Sequence, residues 1–82
     1  MKLEILMTSN HQSHTIDWCE LSTVTGDIVI QPGHAPTVVR LKPDSAVRYL
    51  LAHHESPSSI IISAGIAHIT RTSITIIATQ SV

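Results

Sequence analysis

Apolar and polar residues alternate with a period of two along much of the chain. In the first segment, Leu3, Ile5 and Met7 stand two positions apart, with polar side chains before and after them. This period is typical of a β-strand with one buried face. No window has apolar residues at i, i+3, i+4 and i+7 over the length of a helix. The pattern therefore predicts no helix longer than one or two turns.

The alternation, together with the turn residues between apolar segments, predicts eight strands. Their ranges are 2–8, 15–23, 28–30, 37–41, 46–52, 59–63, 65–70 and 74–79. Polar loops are expected at 9–14, 31–33, 42–45 and 53–58. The predicted core residues are Ile5, Ile28, Ile30, Leu41, Ile61 and Ile76, and one strand is expected to place Val47, Tyr49 and Leu51 on the same face. Turns at this spacing are typical of a β-sandwich or a small barrel.

Composition supports an all-β chain of one domain. Ile, Val and Thr make up 27 of the 82 residues, and such β-branched side chains suit a pleated, half-buried surface. A chain of this length cannot be divided into two independent cores. Residues 1–82 are therefore predicted to form a single domain.

Charge and cysteine content exclude several classes of protein. Only 13% of the residues are charged, and the formal net charge is -1, with no cluster of Lys and Arg that could follow a phosphate backbone. Nucleic acid is therefore not an expected partner. The single cysteine, Cys19, cannot form an internal disulfide and is expected to be buried or half-buried in a strand. The apolar runs are too short to predict a membrane-spanning segment.

The histidines and glycines do not form a recognisable chemical site. Four of the six histidines fall in predicted loops, and His68 is expected to be exposed on a strand. No Cys or His lies at a zinc-finger interval from Cys19, so no metal site is predicted. A nucleophile elbow and a glycine-rich phosphate loop are also missing from the sequence, so an enzyme is not expected. The four loop histidines are His11, His14, His53 and His54.

One stretch is more specific than the overall composition. Residues 26–36 read Gly-Asp-Ile-Val-Ile-Gln-Pro-Gly-His-Ala-Pro, and residues 41–43 read Leu-Lys-Pro. This stretch resembles the signature of the epsilon subunit of F-type ATP synthases. Residues 1–5, 63–66 and 74–78 also resemble the family's opening strand, its Ser-Gly-Gly-Phe strand and its closing strand, with Ile66 in place of the usual Phe. The resemblance extends over essentially the whole chain.

The resemblance implies a two-sheet antiparallel β-sandwich without catalytic residues or a cofactor. In that family, the domain lies at the foot of the central stalk, where one face binds the gamma subunit and the lower edge contacts the c-ring. The match implies a c-ring contact through Asp27 and His34, and a gamma-subunit contact through Val38 and Arg40. Alternatives remain open for each residue. Asp27 could cap its own turn, His34 could bond loop carbonyls, and Val38 and Arg40 could lie on a plain solvent-facing strand.

The resemblance also implies a place in the cell and a prediction about regulation. The expected location is peripheral, on the cytoplasmic, stromal or matrix side of an energy-transducing membrane. The family's C-terminal helical hairpin would begin after Val82, so a full-length chain of this sequence is expected neither to inhibit ATP hydrolysis through such a hairpin nor to bind ATP. Two other functions stay open from the sequence: a free-standing β-sandwich module that binds proteins, and a metallohydrolase fragment that uses the histidines.

Overall fold

The computed structural model describes residues 1–80, which form seven strands and no helix. The all-β prediction is therefore confirmed. None of the described residues belongs to a helix that is long and apolar enough to cross a membrane. The strands are β1 (Lys2–Met7), β2 (Asn10–Thr23), β3 (Gly26–Ile30), β4 (Thr37–Arg40), β5 (Ser45–Leu51), β6 (Ser58–Ile69) and β7 (Ser73–Gln80).

The strands pack as a sandwich in which β2 and β6 belong to both sheets. The first sheet contains β3, the second half of β2, β5 and the first half of β6. The second sheet contains the first half of β2, β1, β7, the second half of β6, and β4. The predicted two-sheet sandwich is thus confirmed, and its ladders are antiparallel except for that between β1 and β7.

The two shared strands change sheets at irregular positions. The register of β2 with β5 shifts between Ile16 and Trp18, directly after the pairing with β1 ends at Thr15. The register of β6 with β7 shifts between Ile62 and Ala64, directly after the pairing with β5 ends at Ile62. A bulge bends a strand and increases its twist, which allows one strand to turn the corner between two sheets.

The prediction of a polar loop at 9–14 is wrong, because β2 already begins at Asn10. His11 and His14 are therefore strand residues. His14 lies opposite the buried Leu3 and points toward the interior. Its ring stacks on that of Tyr49, with 5.2 Å between centroids, and its Nε2 lies 3.0 Å from Oε1 of Gln12. These contacts give the polar side chains of Gln12 and His14 partners inside the sandwich, so both side chains can face the interior without an unsatisfied polar group.

The predicted break between strands 59–63 and 65–70 is also wrong, since β6 runs without interruption through the bulge. The bulge and the pairing with β5 decide which isoleucines face inward. Ile60 lies opposite the buried Val47, whereas Ile61 is 50% exposed and Ile62 is fully buried. The prediction of Ile61 as a core residue is therefore wrong, and Ile62 takes that place.

The remaining core predictions agree with the structure. Four of the predicted residues are at most 1% exposed, and Ile28 is half-buried on the edge strand β3. Val47 and Tyr49 are buried and Leu51 packs against the same core, so their shared face is confirmed. The four fully buried predictions are Ile5, Ile30, Leu41 and Ile76.

Cys19 is buried on β2, and its environment suppresses ionisation. Burial raises the pKa of the thiol to about 12, and the neighbouring Glu20 carboxylate adds to the rise. Because the thiolate is the reactive form, we expect the folded protein not to react with Ellman's reagent at pH 8. After unfolding in urea, we expect one equivalent of thiol per chain to react. Full labelling at pH 8 without denaturant would contradict this placement of the thiol.

Candidate functional site

Asp27 is held at the start of β3 by a turn that Thr23 organises. The buried Thr23 hydroxyl donates a hydrogen bond to the Gly26 carbonyl at 2.6 Å and accepts one from the Thr25 amide at 3.3 Å. Gly26 has a φ of 132°, which favours glycine. Thr23 rather than Asp27 therefore caps this turn. The Asp27 side chain is exposed and takes part in none of the hydrogen bonds or ion pairs of the described residues.

His34 lies in the loop between β3 and β4, which packs on the β6–β7 hairpin. The Gly33 amide donates to the Arg71 carbonyl at 2.8 Å, and the Arg71 guanidinium donates back to the Gly33 carbonyl at 3.3 Å. Nδ1 of His34 donates to the Ala35 carbonyl at 2.7 Å. This contact agrees with the alternative that His34 bonds a loop carbonyl, and it leaves the predicted c-ring contact a prediction. Its Nε2 has no partner among the described residues.

The structure does not bring Asp27 and His34 together. Asp27 is near the start of β3, whereas His34 follows the end of that strand. The rise of a strand puts about 10 Å between Asp27 and Ile30 alone. Asp27 lies on the edge strand β3 of the first sheet, whereas the loop that carries His34 is bonded to the β6–β7 turn.

Val38 and Arg40 point outward from the second sheet. Val38 is 63% exposed and Arg40 is exposed, whereas Leu41, which follows β4, is buried. Pairing with β6 decides this orientation, since Val39 lies opposite the buried Ala67. The sequence left both orientations of this strand open. The structure therefore places both predicted gamma-contact residues on an accessible surface.

An apolar row extends from Arg40 across the outer surface of the second sheet. Arg40 lies opposite Ile66, which lies opposite Ile77, which in turn lies beside Leu6. We call these four residues the outer row. Ile66 is 44% exposed, Ile77 is 54% exposed and Leu6 is half-buried. Val38 lies diagonally next to Ile66 and widens the apolar surface.

Ile66, Ile77 and Leu6 are surface residues that the sequence pattern did not predict. A signal for Ile77 was available. It directly follows Ile76, and adjacent residues of a strand point to opposite faces, so one of the two must be exposed. The choice between them depends on pairing with β6, which the sequence does not specify.

A groove runs along one side of the outer row. One part has a volume of about 480 Å³ and reaches Leu6 and Thr8, and the other has about 370 Å³ and reaches Arg40 and Pro43. The two parts share Ala64, Gly65 and Ile77. They therefore form one open depression across four neighbouring strands, and its lining includes the small residues Ala64 and Gly65.

The outer surface of the first sheet is different in character. Arg48 forms an ion pair with Glu20 at 2.9 Å, and its guanidinium carbon lies 6.0 Å from the centre of a Trp18 ring. The strongly exposed apolar residues on this side are far apart, since Val29 and Ile61 lie on strands at opposite sides of the sheet. The second sheet thus has the more continuous apolar surface.

The described residues offer no evident site for metal chemistry. In residues 1–80, no group of three or more His, Cys, Asp and Glu side chains is arranged to hold a metal ion.

Comparison with known proteins identifies the family. The family model for the β-sandwich domain of the ATP synthase delta/epsilon chain matches residues 1–82. No curated protein sequence gives a significant match.

Two similar folds occur in solved structures of mitochondrial ATP synthases. One is the central stalk and c-ring structure from Tetrahymena thermophila, with a TM-score of 0.82 and 10% identity. The other is the OSCP/F1/c-ring structure from Euglena gracilis, with a TM-score of 0.83 and 19% identity. The matches cover 98% and 93% of this chain but only 63% and 48% of those chains. On the strength of the match over its whole length, the chain belongs to the family of ATP synthase delta/epsilon β-sandwich domains.

Proposed function

We propose that the chain is a non-catalytic rotor subunit of an F-type ATP synthase, which binds the gamma subunit and the c-ring and couples proton translocation to ATP synthesis. Family membership and the fold shared with parts of solved ATP synthases support this function. In this role the chain needs no cofactor. It is peripheral to the membrane, on the side where the catalytic head lies.

The observation that carries the proposal is the exposed apolar surface around Val38 and the outer row. Contiguous apolar side chains on a small domain favour binding to another protein, because burial removes them from water. Arg40 lies at one end of this surface without a carboxylate partner among the described residues. An arginine beside apolar anchors is a frequent arrangement in protein interfaces. We therefore assign gamma binding to the outer surface of the second sheet.

The proposed c-ring contact involves Asp27 on β3 and His34 in the loop between β3 and β4. The Asp27 carboxylate is free to accept hydrogen bonds from basic or amide side chains, and Nε2 of His34 is free to bond as well. A partner that contacts both residues has to reach from the start of β3 to the loop beside the β6–β7 hairpin. Partial desolvation at such a contact would make a charge pair stronger than an exposed one.

Charge reversal at Arg40 tests the gamma contact. We expect Arg40→Glu to weaken binding of the purified gamma subunit about tenfold or more, because it removes a positive charge at the interface and adds a negative one. The matched control is Arg48→Glu, which reverses an exposed arginine on the opposite sheet. Calorimetric titration gives both affinities, and circular dichroism checks that both variants fold. Equal affinities for the two variants would exclude the assigned surface.

A further inference from the structure

The groove and the outer row form one continuous feature on the second sheet. The row and the small residues Ala64 and Gly65 line this depression together. Gly65 lies opposite the buried Ala78, so a Cβ at position 65 would point toward the interior, 2.8 Å from the Ala78 Cβ and 2.8 Å from the Ile77 carbonyl oxygen. Gly65 therefore lets β6 and β7 pack closely beneath the outer surface.

The backbone under this feature is already hydrogen-bonded on both sides. β7 pairs with β6 along one edge and with β1 along the other. An extended peptide lying in the groove would find no free strand edge, and its own amides and carbonyls would be buried without partners. An α-helix satisfies its backbone internally, so it can lie on an apolar floor without this cost.

The spacing of the apolar side chains also fits a helix. Ile66, Ile77 and Leu6 lie on three successive strands, so the row of three spans about 10 Å at the usual distance between strands. Residues i and i+7 on one face of a helix are about 10.5 Å apart. A helix lying across the strands can therefore set apolar residues at i, i+3 or i+4, and i+7 against the three side chains.

We propose that this groove receives an amphipathic α-helix of the gamma subunit, which lies across β6, β7 and β1 and places a carboxylate against Arg40. The inference rests on the proposed function and specifies the kind of gamma segment that binds. The positive charge at one end of the row sets the direction in which the helix lies. Arg40 neighbours Ile66 and has no acidic partner among the described residues, so the end of the helix that carries the carboxylate lies beside it.

A matched pair of substitutions tests the groove. Ile77 and Ile61 are exposed to 54% and 50% on the outer surfaces of the two sheets. We expect Ile77→Glu to weaken binding of the purified gamma subunit at least tenfold, and Ile61→Glu to change it less than twofold. Because both side chains are exposed, both variants should fold, which circular dichroism can check. Equal binding by the two variants would overturn the groove as the binding site.

Photo-crosslinking tests whether the bound segment is a helix. Cysteines introduced singly at Leu6, Ile66 and Ile77 would carry a benzophenone group, and the buried Cys19 would remain unlabelled. We expect crosslinks to gamma residues spaced by three, four and seven positions. Crosslinks to gamma residues spaced by two would contradict a helical conformation of the bound segment. Crosslinks to the c-ring or to a second copy of the chain would contradict the gamma subunit as the binding partner. Failure of the unmodified chain to bind gamma would instead overturn the proposed function itself.

Discussion

Replacing Gly65 with alanine is expected to lower the free energy of unfolding by about 3 kcal/mol, at the upper end of the usual cost of overpacking. Gly65 lies directly opposite Ala78 in the β6–β7 ladder. The added Cβ would come within 2.8 Å of both the Ala78 Cβ and the Ile77 carbonyl oxygen. One of these atoms belongs to the backbone, so the two strands must move apart. Urea unfolding followed by circular dichroism measures the loss.

Two further variants separate this clash from other effects of replacing glycine. Gly33 has a φ of 90° and open space around it, so Gly33→Ala should cost only about 1 kcal/mol, through backbone strain. Adding Ala78→Gly to Gly65→Ala should recover part of the loss, because it removes one of the two close contacts. A cost below about 0.5 kcal/mol for Gly65→Ala would show that the strands are not packed as closely as described.

Truncation of Ile30 is the second change with a large expected effect. Ile30 is fully buried at the end of β3, so Ile30→Ala should lower the free energy of unfolding by about 2 to 5 kcal/mol. The same truncation at the half-exposed Ile61 should cost less than about 0.5 kcal/mol. Chemical denaturation of the two variants under identical conditions measures the two losses in free energy of unfolding.

The conservative variant Ile30→Val keeps the Ile30 prediction testable if the alanine variant does not fold. It removes one methylene group and should cost about 1 kcal/mol. Similar losses for Ile30→Ala and Ile61→Ala would contradict the inward orientation of β3 and of the first half of β6.

The sequence predicts the fold class because strand periodicity and β-branched content are properties of short segments. It fails where the orientation of a strand depends on its partners. In the run Ile60-Ile61-Ile62, all three residues are identical, so no local pattern shows which one is exposed. Pairing with β5 and the bulge after Ile62 decide which of the three isoleucines is exposed. The start of β2 was missed because its inward-facing Gln12 and His14 are polar, and their mutual contact is visible only in three dimensions.

The candidate surface was predicted only in part. The resemblance pointed to Val38 and Arg40, and the structure places both on an accessible surface beside Ile66 and Ile77. The two isoleucines come from β6 and β7, far from residues 38–40 in the chain, so only the sheet topology brings them together. Asp44, in the turn between β4 and β5, has a φ of 53°, a conformation that Asp tolerates better than most residues.

The most direct test of the rotor assignment is purification of the affinity-tagged chain from detergent-solubilised membranes of its own organism. We expect the gamma subunit and the c-ring to co-purify with it in a fixed ratio, and Arg40→Glu to reduce their recovery while Arg48→Glu does not. Recovery of the tagged chain without gamma and the c-ring, under conditions in which the rest of the ATP synthase stays assembled, would contradict its assignment as a rotor subunit.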